Sequence, residues 1–289
     1  MRVIPVTEEN LPAVRAFLEA RADTAQFLLS NLASCGPRLG TAPISGNFKC
    51  IGGDGTIRAV FCLTRRGNLL IETGGRTDFT TAITGACIGE PVELRGVIGE
   101  WESARAAWDQ LKSEGRILER LHSREWLYAL DLTRAGATRL DVRARALLPG
   151  DFRQVEPLQS AFMIEAGVPN TRSLEERRTV FEKDAEAARH WGYFDVDRLV
   201  AIACFTAVHA PRAQIGGVYT APEQRRRGRC RSVMQKLIDD AAKVHGLARL
   251  VLFTAEENGA AQRLYESLGF ERIGDYGLFF GEPAPGQGG

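Results

Sequence analysis

QIGGVYTAPEQRRRGRCRSVMQKLIDDAA, residues Gln214 to Ala242, decides how this chain folds. Gln214 to Thr220 is short, partly β-branched and aromatic, and predicts a strand. Ala221-Pro222-Glu223 ends it, because proline has no N–H for a ladder and suits a turn. Arg225-Arg226-Arg227-Gly228-Arg229-Cys230 follows as a basic loop. Val233, Met234, Leu237, Ile238, Ala241 and Val244 then recur at helical spacing with charge between them. A strand feeding a small-residue loop at a helix start is suited to holding a phosphate. The first amides of a helix lack internal acceptors, and the dipole favours negative charge there. Gly228 lets a ligand come close to the backbone, and the arginines add charge and fork-shaped donors. The other reading of five arginines within 225–231 is a solvated basic patch or a nucleic-acid contact; the glycine and the apolar helix behind it favour the phosphate cradle.

The second informative stretch starts with Arg249–Thr254, a strand by composition, and continues as AEENGAAQRLYESLGF, Ala255 to Phe270. The first stretch resembles motif A of the GNAT superfamily of acyl-CoA-dependent N-acyltransferases, whose loop reads Gln/Arg-x-x-Gly-x-Gly/Ala. Arg225 and Gly228 match, and Cys230 departs from the last position while staying small. The second resembles GNAT motif B, with Asn258, Ala261, Leu264, Tyr265, Gly269 and Phe270 in order. AQFLLSNL (25–32), MIEAGVP (163–169) and the C-terminal half together resemble a group of two-domain bacterial GNAT proteins.

The resemblance implies roles. An amine attacking a thioester must first lose a proton, at about 4–5 kcal/mol for a lysine-like amine at pH 7. Charge also builds on the carbonyl oxygen, which a backbone amide can stabilise. In the family pattern the strand before the loop splays from its neighbour and holds pantetheine and the acyl carbonyl. Here that strand end is Val218, Tyr219 and Thr220, and the Gly216-Gly217 pair before it suits a bulge. The amides of Arg225, Arg226, Arg227, Gly228, Arg229 and Cys230 would hold the pyrophosphate. Tyr265 matches the general acid for the leaving thiolate; its plainer reading is a core aromatic beside Leu264 and Leu268. Asn258 matches the residue that hydrogen-bonds the pantetheine arm, and equally suits a helix cap. No motif identifies the base. Glu165, after an apolar helix, and Tyr219 are the candidates. His209, between two strands, reads as a hairpin residue.

Length and composition agree with this. At 289 residues the chain exceeds the usual ~100–150 of one domain, and two domains are expected. A net charge of +1 excludes a globally basic nucleic-acid binder. The six cysteines form no CxxC pair and histidine is scarce, so neither a metal site nor a disulfide framework is expected. No apolar run is long enough for a bilayer and no signal peptide is visible, so the protein is expected in the cytoplasm.

The N-terminal half alternates helices and hairpin-like strands in the element order of a GNAT domain. At the place of motif A it has IETGGRTDFTTAITGACI (71–88), with a lone Gly74-Gly75 pair and no basic loop. It reads as a degenerate GNAT-like domain without a CoA site. The expected organisation is therefore α+β: residues 1–132, a linker at 133–141, the acyltransferase domain at 142–281, and a disordered tail at 282–289. The expected activity is direct acyl transfer from acetyl-CoA, with no metal, to a small-molecule or peptide amine. No membrane or nucleic-acid partner is expected, and the chain would be a monomer or homodimer. The competing reading is a non-catalytic acyl-CoA-binding regulator. An aminoacyl-tRNA-dependent transferase is disfavoured by the intact CoA loop.

Overall fold

The structure, a computed structural model, describes residues 2–53, 56–134 and 140–284. In chain order the elements are β1 (Arg2–Pro5), α1 (Leu11–Glu19), α2 (Gln26–Cys35), β2 (Gly46–Gly53), β3 (Thr56–Thr64), β4 (Asn68–Glu72), α3 (Thr80–Cys87), β5 (Gly96–Glu100), α4 (Trp101–Ser113) and β6 (Ile117–Asp131). Then follow β7 (Ala144–Ala146), α5 (Phe152–Glu165), α6 (Leu174–Glu186), β8 (His190–Asp195), β9 (Arg198–His209), β10 (Arg212–Thr220), α7 (Arg229–Lys243), β11 (Arg249–Ala255), α8 (Gly259–Ser267) and β12 (Glu271–Pro283). The fold is α+β, with mostly antiparallel strands flanked by helices. Two compact units divide it: residues 1–127 with 254–257 and 273–289, and residues 128–253 with 258–272.

In the first unit the strand order is β1-β2-β3-β4-β5-β12-β6. Its core gathers Phe61, Leu69, Phe79, Val97, Trp108 and Phe279, and each such side chain contributes about 1.5–3 kcal/mol by leaving water. The sequence reading assigns everything up to residue 281 to the C-terminal half. The structure instead lays Tyr276–Phe280 antiparallel to Gly96–Glu100, with Phe279 fully buried and stacked 5.8 Å from Trp108. A Tyr-Gly-Leu-Phe-Phe run needs cover on both faces, and the first unit supplies it. Local patterning cannot reveal so distant a partner. The strand also carries Gly281, whose N–H reaches Arg95 O at 2.8 Å. The rest of the expected tail, from residue 285, lies outside the described residues, as does most of the expected linker, 135–139.

β4 and β5 pair in parallel from Asn68↔Gly96 to Ile71↔Gly99, so closely that a Cβ at Gly99 would stand 2.5 Å from Ile71 O. Beyond them the buried Glu72 carboxylate accepts the Gly74 N–H at 2.7 Å and the Thr24 hydroxyl at 2.5 Å.

In the second unit the order is β11-β10-β9-β8-β7, with β10–β11 parallel and β7–β8, β8–β9 and β9–β10 antiparallel. One face packs Leu199, Ile202 and Tyr219 against α5 and α6 through Phe152, Val155 and Phe181. Neighbouring positions on the strands point the other way, and Trp191 Nε1 donates to Asp240 of α7 at 2.8 Å. Of the stripe read from the sequence, α7 buries Val233, Met234, Leu237 and Ala241, while Ile238 is half-buried and Val244 is exposed at the helix end. α6 opens with a capping box: Ser173 Oγ accepts from Glu176 N at 3.2 Å, and Glu176 Oε2 accepts from Ser173 N at 2.8 Å. α5 begins at Phe152 and runs through Pro157.

Candidate functional site

β10 changes character halfway along. Its first four residues pair with β11, Arg212↔Arg249 to Ile215↔Leu252. From Gly216 to Thr220 no residue pairs with β11. On its other side the register jumps from Gly216↔Cys204 to Tyr219↔Ile202. Gly217 and Val218 thus face one position of β9, which is a bulge with Gly217 at φ +59°. Glycine takes that angle without a steric cost. Past the bulge the strand end runs without a β11 partner on that edge, and Thr220 O accepts instead from the Arg225 side chain. This is the splay expected at Val218, Tyr219 and Thr220, and the Gly216-Gly217 pair is its local cause.

After a turn at Pro222–Gln224 the chain reaches the arginine loop. Arg226 has φ +60° and Gly228 φ +76°. A non-glycine residue in that region is strained, and such strain concentrates at functional sites. Left-handed residues set among right-handed ones turn successive N–H groups inward, making an anion-binding concavity. The hydrogen bonds agree. Ser232 N donates to Gly228 O at 3.1 Å. Among the described residues the N–H groups of Arg226 to Arg231 have no acceptor, and no side chain caps the helix. A Cβ placed on Gly228 would meet nothing within 4 Å. Six open amides at a helix start, beside a loop with empty space over its glycine, fit a polyphosphate.

The side chains of the loop divide between tasks. Arg225 turns away from the amides: its Nε donates to Thr220 O at 3.0 Å and an Nη to Glu165 Oε2 at 2.6 Å. Its guanidinium lies 5.4 Å from the Tyr219 ring centroid, and the bonds to Glu165 and Tyr219 raise its already high pKa. Arg229 is also spent, on Tyr193 Oη at 2.6 Å and Asp195 at 3.2 Å. Arg226 and Arg227 are exposed. Cys230 lies beside the Thr220 hydroxyl, and burial pushes its thiol up to about 11, which keeps it protonated near neutral pH and opposes a reactive thiolate.

Glu165 and Tyr219, the two candidate bases, come together through Arg225. Glu165 sits at the end of α5, held by an ion pair with both partners about half exposed. Tyr219 is 7% exposed, with its ring edge-on to Phe162 of α5. Its ring belongs to the core under α5 and its hydroxyl faces Arg225. Asn258 caps α8, accepting from Ala261 N at 3.1 Å through Oδ1, while its amide nitrogen stays available to donate. Tyr265 is 5% exposed, packed edge-on against Tyr128 and near Phe270, both at 6.1 Å. His209 pairs with Arg212 at the β9–β10 hairpin.

Sequence reasoning missed the surroundings of the bulge. Cys204 lies beneath it, its sulfur 3.4 Å from Gly216 O and 3.2 Å from where a Gly217 Cβ would stand. Arg172, from the α5–α6 connection, and Asp184 of α6 both lie within electrostatic reach of that sulfur. A polar connection carries no periodic signal, so nothing local singles these residues out. Among the described residues no group of three or more His, Cys, Asp or Glu could hold a metal ion, and no helix is long and apolar enough to cross a membrane.

Comparison with known proteins agrees with this geometry. Residues 155–270 match the model of the acetyltransferase (GNAT) family. No curated protein sequence matches the chain. Solved structures resemble it over its length. A GCN5-related N-acetyltransferase from Sphaerobacter thermophilus is 15% identical, with TM-score 0.62 and coverage of 98% of this chain and 95% of that one. A Drosophila malonogaster protein gives TM-score 0.71 at 13% identity, over 98% and 99%. A tandem GNAT protein from the clavulanic acid biosynthesis pathway gives 0.50 at 14%, over 98% of both chains. At these identities the likeness is one of fold.

Proposed function

We propose that this chain, a GNAT acetyltransferase-family protein by its residues 155–270, transfers an acetyl group from acetyl-CoA to an amine. The observation that carries this reading is the pairing of the bulged, unzipped end of β10 with six open amides at the start of α7. In this reading the N–H groups of Arg226 to Arg231 bind the pyrophosphate, with Arg226 and Arg227 adding charge. The side chains of Arg225 and Arg229 act as struts for the loop. The open backbone from Gly217 to Thr220 takes the pantetheine arm and the acyl carbonyl. Asn258 supplies its amide N–H₂ to the arm while its oxygen caps α8. Acetyl-CoA supplies the acyl group already activated as a thioester.

The protein's own chemistry is then positioning and proton transfer. A backbone N–H on the open edge of β10 meets the charge growing on the carbonyl oxygen. Tyr265 donates its phenolic proton to the leaving sulfur, and the proton shed by the acylated amine passes to water and returns to the phenolate. Glu165 orders the loop through Arg225 and does not serve as the base. Calorimetric titration with acetyl-CoA tests the reading. One site per chain is expected, abolished when Gly228→Trp fills the space above the loop. An intact, folded protein that takes up no acetyl-CoA would overturn it.

A further inference from the structure

The tip of the β8–β9 hairpin holds both ends of the arginine loop. The tip is the two-residue connection Val196–Asp197, and the residues flanking it, Asp195 and Arg198, face each other across the strand pair. Asp195 accepts from Arg229, the first residue of α7, at 3.2 Å. Arg198 donates to Glu223, in the turn that leads into the loop, at 2.7 Å. Between Glu223 and Arg229 the backbone is left-handed at both Arg226 and Gly228. One element of the fold thus fixes the distance that the loop has to span.

The two holds differ in depth. At the helix end the Arg229 side chain is 14% exposed. It also donates to the Tyr193 hydroxyl at 2.6 Å and lies 4.7 Å over that buried ring. At the turn end the side chains of Arg198 and Glu223 are both more than half exposed. The hairpin tip itself is strained: Val196 has φ +59° and is 86% exposed. A β-branched residue at that angle is a steric outlier, and such outliers persist where their surroundings over-determine them. With Val196 almost bare, the restraint on the turn comes from the strand pairing and from the two flanking bonds to the loop.

We propose that the hairpin tip is a clamp on the cofactor loop, with Asp195 and Arg198 as positioning residues that set the span from Glu223 to Arg229 and so aim the amides of residues 226–231 at the pyrophosphate. Asp195 acts through Arg229, and Arg198 through Glu223. The proposal rests on the acetyl-CoA reading above and names what orders its phosphate site. Position 223 separates the clamp from simple charge. If Glu223 only added negative charge to the surroundings, Glu223→Arg would strengthen the binding of a polyanion. In the clamp, Glu223→Arg sets like charges against each other at 198 and 223, pushes that end of the loop outward and weakens binding.

The test is calorimetric titration of acetyl-CoA into the full chain and its variants, beside thermal melts. Glu223→Arg and Arg198→Glu should each weaken binding at least threefold. The exchanged pair, Arg198→Glu with Glu223→Arg, should return it to within twofold of wild type. Asp195→Ala should weaken binding at least fivefold, because it releases the more buried hold. The variants at 198 and 223 should melt within about 4 °C of wild type, since exposed ion pairs contribute little to stability, so a loss of affinity there is not a loss of fold. Tighter or unchanged binding by Glu223→Arg, wild-type affinity in Asp195→Ala, or an exchanged pair that fails to recover each overturns the clamp. Wild-type binding of acetyl-CoA in those cases leaves the acetyltransferase reading standing. A wild-type protein that takes up no acetyl-CoA overturns that reading, and the clamp with it.

Discussion

Gly228→Ala and Gly246→Ala form a matched pair that separates backbone strain from ligand recognition. Gly228 opens α7 at φ +76°, and Gly246 follows its other end at φ +61°. A Cβ on either meets nothing within 4 Å, so neither alanine clashes with the fold. Both must hold the left-handed region, at about 1–2 kcal/mol. At roughly 2–4 °C per kcal/mol for a chain of this size class, each variant should melt about 2–8 °C below wild type. Binding should separate them. Alanine at 228 can relieve its strain only by rotating out of the left-handed region, which re-aims the adjoining amides. A hydrogen bond to a charged group contributes about 1.5–3 kcal/mol, and each 1.4 kcal/mol is tenfold in Kd. Losing one such bond should weaken acetyl-CoA at least tenfold in Gly228→Ala. Gly246→Ala, with the same strain at the far end of the helix, should bind within twofold of wild type. Calorimetric titration read beside thermal melts measures both. Equal affinity in the two variants, whether both intact or both weakened, would refute the assignment of the phosphates to the 226–231 amides.

Tyr265→Phe should keep acetyl-CoA affinity and stability while lowering kcat about 10²–10⁴-fold, the range for a lost general acid; an unchanged kcat would leave Tyr265 as a core aromatic. Glu165→Gln should cost less than about fivefold in kcat, because an exposed ion pair contributes only about 0.2–1 kcal/mol; a loss of a hundredfold or more would restore Glu165 as the base. His190 gives a stability prediction. Its ring is buried 4.9 Å from Phe181, and burial pushes its pKa down to about 4. The unfolded chain, titrating near the ordinary 6.5, binds the extra proton first. The stability conferred by neutral His190 is complete above pH 6.5 and is lost as pH falls toward 4, by about 3 kcal/mol for a shift of this size. Urea unfolding across that window should show a shallower acid limb in His190→Phe than in wild type, and identical slopes would count against this.

What the sequence made legible was what local chemistry controls. The Gly216-Gly217 pair announced the bulge, and Arg225 with Gly228 announced a loop at a helix start. The 3.6-residue stripe from Val233 to Ala241 announced α7. Each rests on residues within a few positions of one another. What stayed hidden depends on residues far apart in the chain. The pairing of Tyr276–Phe280 with Gly96–Glu100 spans well over a hundred residues. The turning of Arg225 toward Glu165 joins positions 60 apart. A run of arginines reports how much charge is present, and only the fold says which guanidinium is spent on the protein and which is left for a ligand.

The two parallel strand pairs show why one unit is read as binding CoA and the other as not. β4 and β10 each form four parallel pairs with the next strand, Asn68–Ile71 with β5 and Arg212–Ile215 with β11. β10 then runs on for five more residues, bulged at Gly217, without that neighbour. β4 ends one residue later, at Glu72. There the buried carboxylate takes the Gly74 N–H, the second amide of the loop that follows. A ligand anion competing for that amide would have to displace a carboxylate that Thr24 also holds. Burial pushes the Glu72 pKa up, so its hydrogen bonds are what keep the buried group satisfied. In the second unit the corresponding loop has no internal carboxylate on its amides. Glu165 and Asp195 are held by the Arg225 and Arg229 side chains, and neither takes an amide of the loop. Whether a strand–loop–helix of this kind takes up a phosphate is thus decided by where the chain's own carboxylates go, as much as by the glycine pattern.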